Sequence, residues 1–355
     1  LQPASETPEA EPGPNRAARQ ARMKELAQAR LIDEDTVLPA VPLWWRTMLD
    51  ERAQSQIDHL GGGRMATDWG ARIISDESRL YDPLSYHYGS VWPLFTGWAS
   101  MGAYAYGRPH VGHQALMANA LLSYTGALGY VTELLSGDFN APFGRSSHHQ
   151  VWSEAMVVTP TLRGLLGIEI TGGGKELRFA PQLPANWDRI EARNVAAGDA
   201  RYDLKLERAA GRLTIMVTQR ISAASGSSSL PRRVERFTLA PAFPLDARVR
   251  KVTVQGRATQ FEMTIGGDVQ RAEVSVEARE PSVETVFTYT EGTDVYLAPQ
   301  SLTPGAQSEG LRVLRSRADR DALRLLLEGL GGPTYAVRVR TPLQIAQAGG
   351  GSAGT

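Results

Sequence analysis

The chain has no cysteine, no net charge and no long apolar run. The missing cysteines exclude disulfides and thiolate metal sites. Because 38 basic side chains balance 38 acidic ones, no overall field attracts nucleic acid or an anionic membrane. No run approaches the roughly 20 apolar residues of a membrane helix, and the first residues lack the basic start and apolar centre of a signal peptide. We therefore expect a soluble protein with a neutral partner, not nucleic acid or a membrane, and no compartment is indicated.

The sequence also lacks the common motifs of cofactor and nucleophile sites. It contains no glycine-rich phosphate loop and no Gly-x-Ser-x-Gly elbow. His148 and His149 are adjacent, and neither has a His or carboxylate at the spacing of a zinc site. His110 and His113 are one helical turn apart but lack the Glu of a metalloprotease helix. We predict no cofactor and no metal site, which leaves His148 and His149 for ligand hydrogen bonds or structural roles.

The length of 355 residues, 42% of them hydrophobic, is enough for two domains. Residues 1–31 begin rich in Pro, Glu and Ala and continue with helix formers, so we predict a disordered or partly helical segment. Helical periodicity, with Pro42 in the first turn of one helix and Gly beyond its end, then predicts a helical domain over residues 32–172. The predicted helices span residues 42–60, 91–106, 109–128 and 150–166.

After Gly167 the pattern changes to an alternation of apolar and polar residues with turn signals between the runs. Ala209-Ala-Gly211 separates two such runs and predicts a β-hairpin. We predict an antiparallel β-sandwich over residues 173–345, followed by a disordered tail at residues 346–355. The predicted strands span residues 177–180, 202–208, 212–218, 234–239, 250–254, 271–276, 285–289, 323–327 and 335–339.

Residues 67–153 hold five of the six histidines, four of the seven tryptophans and seven of the eleven tyrosines. Aromatic faces stack on the apolar faces of sugar rings, polar side chains bond the hydroxyls, and carboxylates perform glycoside chemistry. This region therefore predicts a carbohydrate site with Glu133 as the best candidate for a catalytic base. The candidate substrate-binding residues are Asp68, Trp69, Arg72, Tyr86, His87, Trp92, His148, Gln150 and Trp152.

Each of these candidates also has a structural interpretation. Glu133 lies among small and apolar residues, where burial can adapt a carboxyl group for base catalysis, but a helix-end carboxylate bonded to backbone is the commoner arrangement. Asp68 fits a bond to a sugar hydroxyl and a local turn cap equally well. Glu154 fits the first turn of a helix, and Asp138 fits a turn. The aromatic residues fit stacking platforms or the core of a helical domain.

The order of four segments resembles the amylo-α-1,6-glucosidase part of glycogen-debranching enzymes, among the six-hairpin (α/α)6-barrel glycosidases. Asp68-Trp-Gly-Ala-Arg72 is similar to the family's Trp-Gly-Ile-Arg segment, and Tyr81-Asp-Pro-Leu-Ser-Tyr-His-Tyr-Gly-Ser-Val-Trp-Pro93 to its Tyr-Asn-Pro-x-Ser-Tyr-His-Asn-Gly-Ser-Val-Trp-Pro. Thr132-Glu-Leu-Leu-Ser-Gly137 is similar to its Pro-Glu-Leu-Phe-x-Gly, and His148-His-Gln-Val-Trp152 to its Ser-Pro-Gln-Ala-Trp. The second of these motifs is specific.

The resemblance implies the C-terminal part of an inverting, exo-acting glycoside hydrolase with Glu133 as general base. It also implies a partial (α/α)6 barrel, because residues 38–168 match only about four of the twelve helices, and the family's general acid lies before them. A missing N-terminal portion or a partner chain would then complete the barrel. The chain departs from the motifs at Tyr88, which replaces Asn, and at Thr132 and His149, which replace Pro.

Two other classes of function remain open at the level of sequence. A barrel of similar design can serve a phosphorolytic enzyme, in which phosphate replaces water and no base is required. A non-catalytic carbohydrate-binding or structural protein is the other alternative, and the absence of an assigned acid favours it.

Overall fold

The computed structural model describes residues 14–28, 33–220, 233–299, 301–319 and 321–345, together with 347 and 349. The chain divides into two compact units, Leu1–Asp35 and Thr36–Thr355. In the first unit, helix α1 spans Pro14–Gln28 and is rich in Ala, Arg, Lys and Glu, which favour helix. The segments predicted to be disordered, 1–15 and 346–355, lie almost wholly outside the described residues.

Among the residues that the structure describes, five α-helices form the helical part of the second unit. Two of them begin with Pro at the first helical position, where the fixed φ of proline suits the helix and its missing N–H costs no bond. Small residues let these helices approach closely: Gly102 packs against Leu43, and Gly97 against Met156. The helices are α2 (Ala40–Trp44), α3 (Asp50–Gly61), α4 (Pro93–Ala105), α5 (Pro109–Leu122) and α6 (Val151–Thr159), and α6 runs on into a π-helical segment at Pro160–Leu165.

The single helix predicted over residues 42–60 is broken. Helix α2 ends at Trp44, and α3 begins only at Asp50. Between them Arg46 has φ +53°, a left-handed backbone that cannot continue a right-handed helix. Periodicity of apolar residues continued through this break, which is why the sequence pattern did not reveal it.

The predicted partial (α/α)6 barrel is wrong. Only six α-helices are present among the described residues, whereas strands make up most of the regular structure. The helices of the second unit do not pair into the two concentric rings of such a barrel; α4 is instead central and packs against α2, α5 and α6. The sequence motifs are local and do not dictate this arrangement.

The described residues contain eighteen strands, numbered β1 to β18 in chain order. One six-stranded sheet has the order β11-β10-β14-β7-β6-β5, and a second contains β12-β13-β8-β4-β3 with β9 paired to β13. The strands are β1 (Ala66–Thr67), β2 (Gly70–Ala71), β3 (Ile168–Thr171), β4 (Glu176–Phe179), β5 (Arg189–Ala197), β6 (Ala200–Ala209), β7 (Arg212–Arg220), β8 (Arg236–Leu239), β9 (Ala242–Pro244), β10 (Arg248–Val254), β11 (Arg257–Thr259), β12 (Glu262–Gly266), β13 (Val269–Glu277), β14 (Ser282–Thr290), β15 (Asp294–Tyr296), β16 (Arg312–Ala318), β17 (Leu323–Glu328) and β18 (Arg338–Arg340).

The two large sheets share one hydrophobic core, which is consistent with the β-sandwich predicted from alternation. Leu204 and Phe287 of the first sheet and Phe179 and Phe237 of the second are almost completely buried in it. The predicted hairpin at Ala209-Ala-Gly211 joins β6 to β7. The sandwich is not purely antiparallel, however, because β4 and β8 pair in parallel.

The last strands return to the helical part instead of extending the large sheets. Strand β16 pairs with β17 and packs on α3 and α5. Val313 and Leu314 are buried there, and the Val313 N–H donates to Oε1 of Gln114 at 2.9 Å. The predicted boundary at residue 173 therefore separates stretches of chain that are in contact in the folded structure.

Arg108 forms hydrogen bonds to three distant parts of the second unit: helix α3, the segment of Asp268 before β13, and strand β16. Its side chain is fully buried, and Nε donates to Oδ2 of Asp268 at 3.1 Å. Its other nitrogens donate to Asp58, Gln54 and the carbonyl of Leu314. Such a buried cation is tolerated only where carboxylates and carbonyls satisfy it.

None of the described helices combines the length and apolarity needed to cross a bilayer.

Candidate functional site

Glu133 lies in the irregular segment between α5 and α6 and is only 9% exposed. Its Oε1 accepts a hydrogen bond from the Tyr86 hydroxyl at 2.6 Å. Its Oε2 accepts one from the Ser147 N–H at 3.2 Å, and its own N–H donates to the Ser147 carbonyl at 2.8 Å. Two chain segments thus fix the orientation of the carboxylate, which leaves lone pairs on each oxygen for a further partner.

Aromatic rings surround the Tyr86 end of this pair. The Tyr86 ring meets the rings of His87 and Trp92 edge-on, both at 4.8 Å between centroids. His87 and Trp92 are nearly parallel at 6.5 Å. The Trp92 indole N–H donates to Oγ of Ser90 at 2.8 Å, which holds the ring in place. Tyr86 is 40% exposed and His87 is also exposed, whereas Trp92 is 5% exposed, so Tyr86 and His87 supply the accessible ring surface of this group.

The hydrogen bond to Glu133 raises the pKa of the Tyr86 phenol above its ordinary value. The cause is the carboxylate, which accepts the phenolic proton and whose negative charge opposes formation of a phenolate beside it. Tyr86 is therefore a hydrogen-bond donor to Glu133 at neutral pH.

The fourth predicted segment, His148–Trp152, leads into the start of α6. The Gln150 N–H donates to the Val131 carbonyl at 3.0 Å and so joins the start of α6 to the segment of Glu133. His148 and Trp152 are exposed, and Trp152 retains 41% of its surface. His149 stacks on Tyr130 at 4.1 Å between ring centroids.

Glu154 is in the first turn of α6, as expected, and its carboxylate pairs with His149. Nε2 of His149 lies 3.0 Å from Oε1 and 3.2 Å from Oε2 of Glu154. The pair and the Tyr130 ring hold the imidazole in one orientation. Neither the stack nor the contact between His149 and Glu154 followed from the sequence, because their members are brought together by the loop.

Trp69 and Arg72 support the Glu133 segment from behind. Trp69 is 1% exposed in an apolar cluster, and its indole N–H donates to the Ser136 carbonyl at 2.9 Å. Nε of Arg72 donates to the Gly137 carbonyl at 2.9 Å. Both side chains thus hold the backbone that follows Glu133, and the structure places neither in the solvent-accessible group around Tyr86.

Asp68 is bound to a different part of the chain. Its Oδ2 accepts hydrogen bonds from the N–H groups of Glu309 and Gly310, both at 2.9 Å. Nη2 of Arg312 lies 3.3 Å from Oδ1. This carboxylate fixes the segment before β16, a long-range role that differs from the local turn cap considered for it.

Tyr81 links two of the motifs. Its hydroxyl donates to Oδ1 of Asp138 at 2.6 Å, and burial together with this hydrogen bond raises the pKa of the phenol. Asp138 lies in a bend after Glu133, and its carboxylate holds Tyr81 of another segment. Within the described ranges, no group of three or more His, Asp or Glu side chains is arranged to hold a metal ion.

No protein-family model and no curated protein matches the chain. Among solved structures, an α-L-rhamnosidase from Dictyoglumus thermophilum matches 70% of this chain and 24% of its own, at 11% identity and a TM-score of 0.41. An α-L-fucosidase isoenzyme 2 from Paenibacillus thiaminolyticus matches 40% of this chain and 18% of its own, at 18% identity and a TM-score of 0.20.

A third structure, described as a glycoside hydrolase, matches 70% of this chain and 47% of its own, at 11% identity and a TM-score of 0.27. The chain therefore spans less than half the length of each of these three proteins. All three are glycoside hydrolases, and they do not single out the glycogen-debranching family. At such low TM-scores, the function has to be inferred from the geometry around Glu133.

Proposed function

We propose that this chain is part of a glycoside hydrolase in which Glu133 is the general base. The observation that carries the proposal is the largely buried Glu133 carboxylate, held by the Tyr86 hydroxyl at 2.6 Å. A carboxylate oriented in this way at the edge of an aromatic cluster suits the removal of a proton from a water molecule beside a sugar.

In the proposed reaction, Glu133 accepts a proton from water while the water oxygen forms a bond to the anomeric carbon. The glycosidic bond breaks, and a protonated carboxyl about 6.5 to 9.5 Å from the base donates its proton to the leaving oxygen. Anomeric configuration is inverted. No described residue is assigned as this acid. Two parts of the proposal rest on the motif resemblance alone: the exo mode of attack and the preference for a substrate like that of amylo-α-1,6-glucosidase.

Tyr86 has a positioning role in this proposal. Its O–H occupies one lone pair of Oε1 and directs the carboxylate. The exposed rings of Tyr86, Tyr130 and Trp152 offer faces for sugar stacking, since each retains at least 40% of its surface. His87, His148 and Gln150 supply hydrogen-bonding groups near them.

The test is turnover of a panel of aryl glycosides and α-1,6-branched glucan by the purified chain, compared with Glu133→Gln. We expect Glu133→Gln to lower kcat by about 10² to 10⁴. Glu154→Gln is the matched control, because it removes a neighbouring carboxylate that pairs with His149. With Glu133→Ala and an activated aryl glycoside, azide should restore turnover and yield a glycosyl azide of inverted configuration.

Full activity of Glu133→Gln would show that the base is another group. Turnover that requires inorganic phosphate would establish the phosphorolytic alternative. A third outcome, saccharide binding without turnover by the unmodified chain, would favour the non-catalytic alternative. That alternative is supported by the engagement of both Glu133 oxygens, one by Tyr86 and one by Ser147.

A further inference from the structure

A groove of about 840 Å³ lies away from Glu133, between the α2–α3 junction and the second large sheet. Residues of the α2–α3 junction, the end of α4, the π-helical segment and strands β4, β12 and β13 line it. Glu133, Tyr86 and their hydrogen-bond partners are not among the lining residues. The groove is therefore a second concave surface, and neither the motifs nor the proposed chemistry accounts for it.

The charge of this groove is strongly one-sided, although the chain as a whole is neutral. Five arginines line it, against the two carboxylates of Asp50 and Glu169. Two of the five arginines are paired with carboxylates: Arg178 with Glu273, and Arg317 with Asp268. The remaining three are Arg46, Arg163 and Arg271. Among described residues, none of these three has an ion-pair partner.

Arg271 is the most deeply placed of the three. Its Nη1 donates to the carbonyls of Ala180 and Ala240, each at 3.1 Å. The carboxylate whose charge acts on Arg271 is Glu273, and it is paired with Arg178. Burial lowers the pKa of the Arg271 guanidinium to about 10, and the positive charges of Arg178 and Arg46 act in the same direction. At neutral pH it is still charged, so an anion that enters the groove would relieve the cost of burying it.

An aromatic pair lies at the edge of the same groove. The rings of Trp44 and Trp45 are nearly parallel, 16° apart with centroids 5.8 Å from each other. Trp45 is 65% exposed, an unusual position for a large indole ring that packs on no core. The next residue, Arg46, has its guanidinium 5.7 Å from the centre of the Tyr106 ring, a contact that keeps the positive charge near the Trp44–Trp45 pair.

We propose that this groove binds an oligosaccharide that carries carboxylates, a uronate chain, with the carboxylates on Arg46, Arg163 and Arg271 and a sugar ring on Trp45. Arginine forms bidentate bonds to carboxylates, and an exposed indole stacks on the apolar face of a pyranose. The combination of unpaired guanidinium groups with an exposed indole selects an acidic saccharide over a neutral saccharide or a simple anion. The proposal does not depend on the assignment of Glu133.

The experiment is titration calorimetry of the full chain with trigalacturonate, maltotriose and triglutamate at low and physiological salt. Glu133→Gln serves as the background, so that hydrolysis does not confuse the heats. We expect trigalacturonate to bind, more weakly at higher salt, and at least about tenfold more tightly than maltotriose or triglutamate. About tenfold corresponds to the loss of one charged hydrogen-bond pair.

The double variant Arg46→Asn with Arg163→Gln should weaken trigalacturonate binding at least about tenfold. Asn suits residue 46 because it tolerates a left-handed backbone, which Arg46 adopts at φ +53°. Trp45→Ala should weaken binding about fivefold through loss of stacking. Arg257→Gln, on an exposed position of β11, is the matched control and should bind as the parent does.

Equal binding of maltotriose would overturn the acidic specificity, and equal binding of triglutamate would reduce the groove to a general anion site. Absence of trigalacturonate binding, or binding unaffected by both the arginine and the Trp45 variants, would reject the proposal outright. Because the readout is binding, none of these results bears on turnover by Glu133.

Discussion

The phenolic oxygen of Tyr86 lies 2.6 Å from Oε1 of Glu133, although the two residues are 47 positions apart in the chain. This contact joins two of the four segments that first indicated a carbohydrate site. It also provides a spectroscopic signal, because the ionisation of a phenol responds to the charge beside it.

We expect Glu133→Gln to lower the pKa of Tyr86 toward the ordinary value for tyrosine. The present pKa is raised first by the hydrogen bond to Glu133 and then by burial and the carboxylate charge. A neutral amide removes the charge. The measurement is ultraviolet absorbance of phenolate during alkaline titration, with Tyr86→Phe used to identify the signal. An unchanged titration in Glu133→Gln would mean that the pair is not formed in solution.

Asp68→Asn should reduce stability more than it affects substrate binding. The Asp68 carboxylate accepts two backbone hydrogen bonds and pairs with Arg312, so we expect the free energy of unfolding to fall by about 1 to 3 kcal/mol. Trp152→Ala should have the opposite profile, because Trp152 is 41% exposed. Urea unfolding and KM, measured on both variants, make the comparison. A large rise in KM for Asp68→Asn alone would place this carboxylate in the substrate site after all.

Arg108→Met should unfold the chain more readily, by about 3 kcal/mol. The substitution removes a buried cation from Asp58 and Asp268, although Arg315 still reaches Asp58 and Arg317 still reaches Asp268. Arg257→Met, at an exposed position, is the control and should change stability by less than about 0.5 kcal/mol. Equilibrium urea unfolding measures both. If the two variants were equally stable, the buried network would contribute nothing to the native state.

His113 should make the protein less stable as the pH falls below about 6.5. Burial lowers its pKa from 6.5 to about 4, and the neighbouring His110 adds to this effect. Between these values the unfolded chain binds the proton and the folded one does not, so protonation favours unfolding. The contribution of neutral His113 to the free energy of unfolding is thus fully present above pH 6.5, and it decreases by up to about 3 kcal/mol toward pH 4.

The measurement is urea unfolding of the parent and of His113→Gln at pH 7.5, 6 and 5. The variant should lose less stability over this interval, because its side chain does not titrate. The groups that face His113 include the Trp187 ring, at 5.7 Å between ring centroids, and His110, whose own pKa is raised by Asp294 despite its burial. Parallel pH profiles for the two proteins would contradict the prediction.

Local elements were predictable where one physical signal determines them. Alternation placed the strands that became β6 and β7, and helical periodicity placed the starts of α4 and α5 near the predicted positions. The break near Arg46 was not predictable, because a left-handed residue among helix formers leaves no compositional trace. The barrel was inferred from motifs that are local, whereas a barrel is a relation among distant helices.

The contacts made by the candidate site residues could not be predicted from composition. Clustered aromatics identified the region of Glu133, yet composition did not separate Trp69, which is buried, from Trp152, which is exposed. Asp68 lies within the motif but bonds to Glu309 and Gly310, far away in sequence. Contacts across 47 or 241 positions depend on the folded arrangement as a whole.

The return of β16 to α3 and α5 sets the order in which the molecule can be completed. Leu314 packs beside Gly61 and Val111, and its carbonyl accepts from Arg108, so the helices made early on the ribosome retain an open apolar face until this strand arrives. Synthesis proceeds at about 5 to 20 residues per second, so that face stays uncovered for roughly ten seconds or more. During this interval, the nascent helical part exposes apolar surface of the kind that is prone to aggregation.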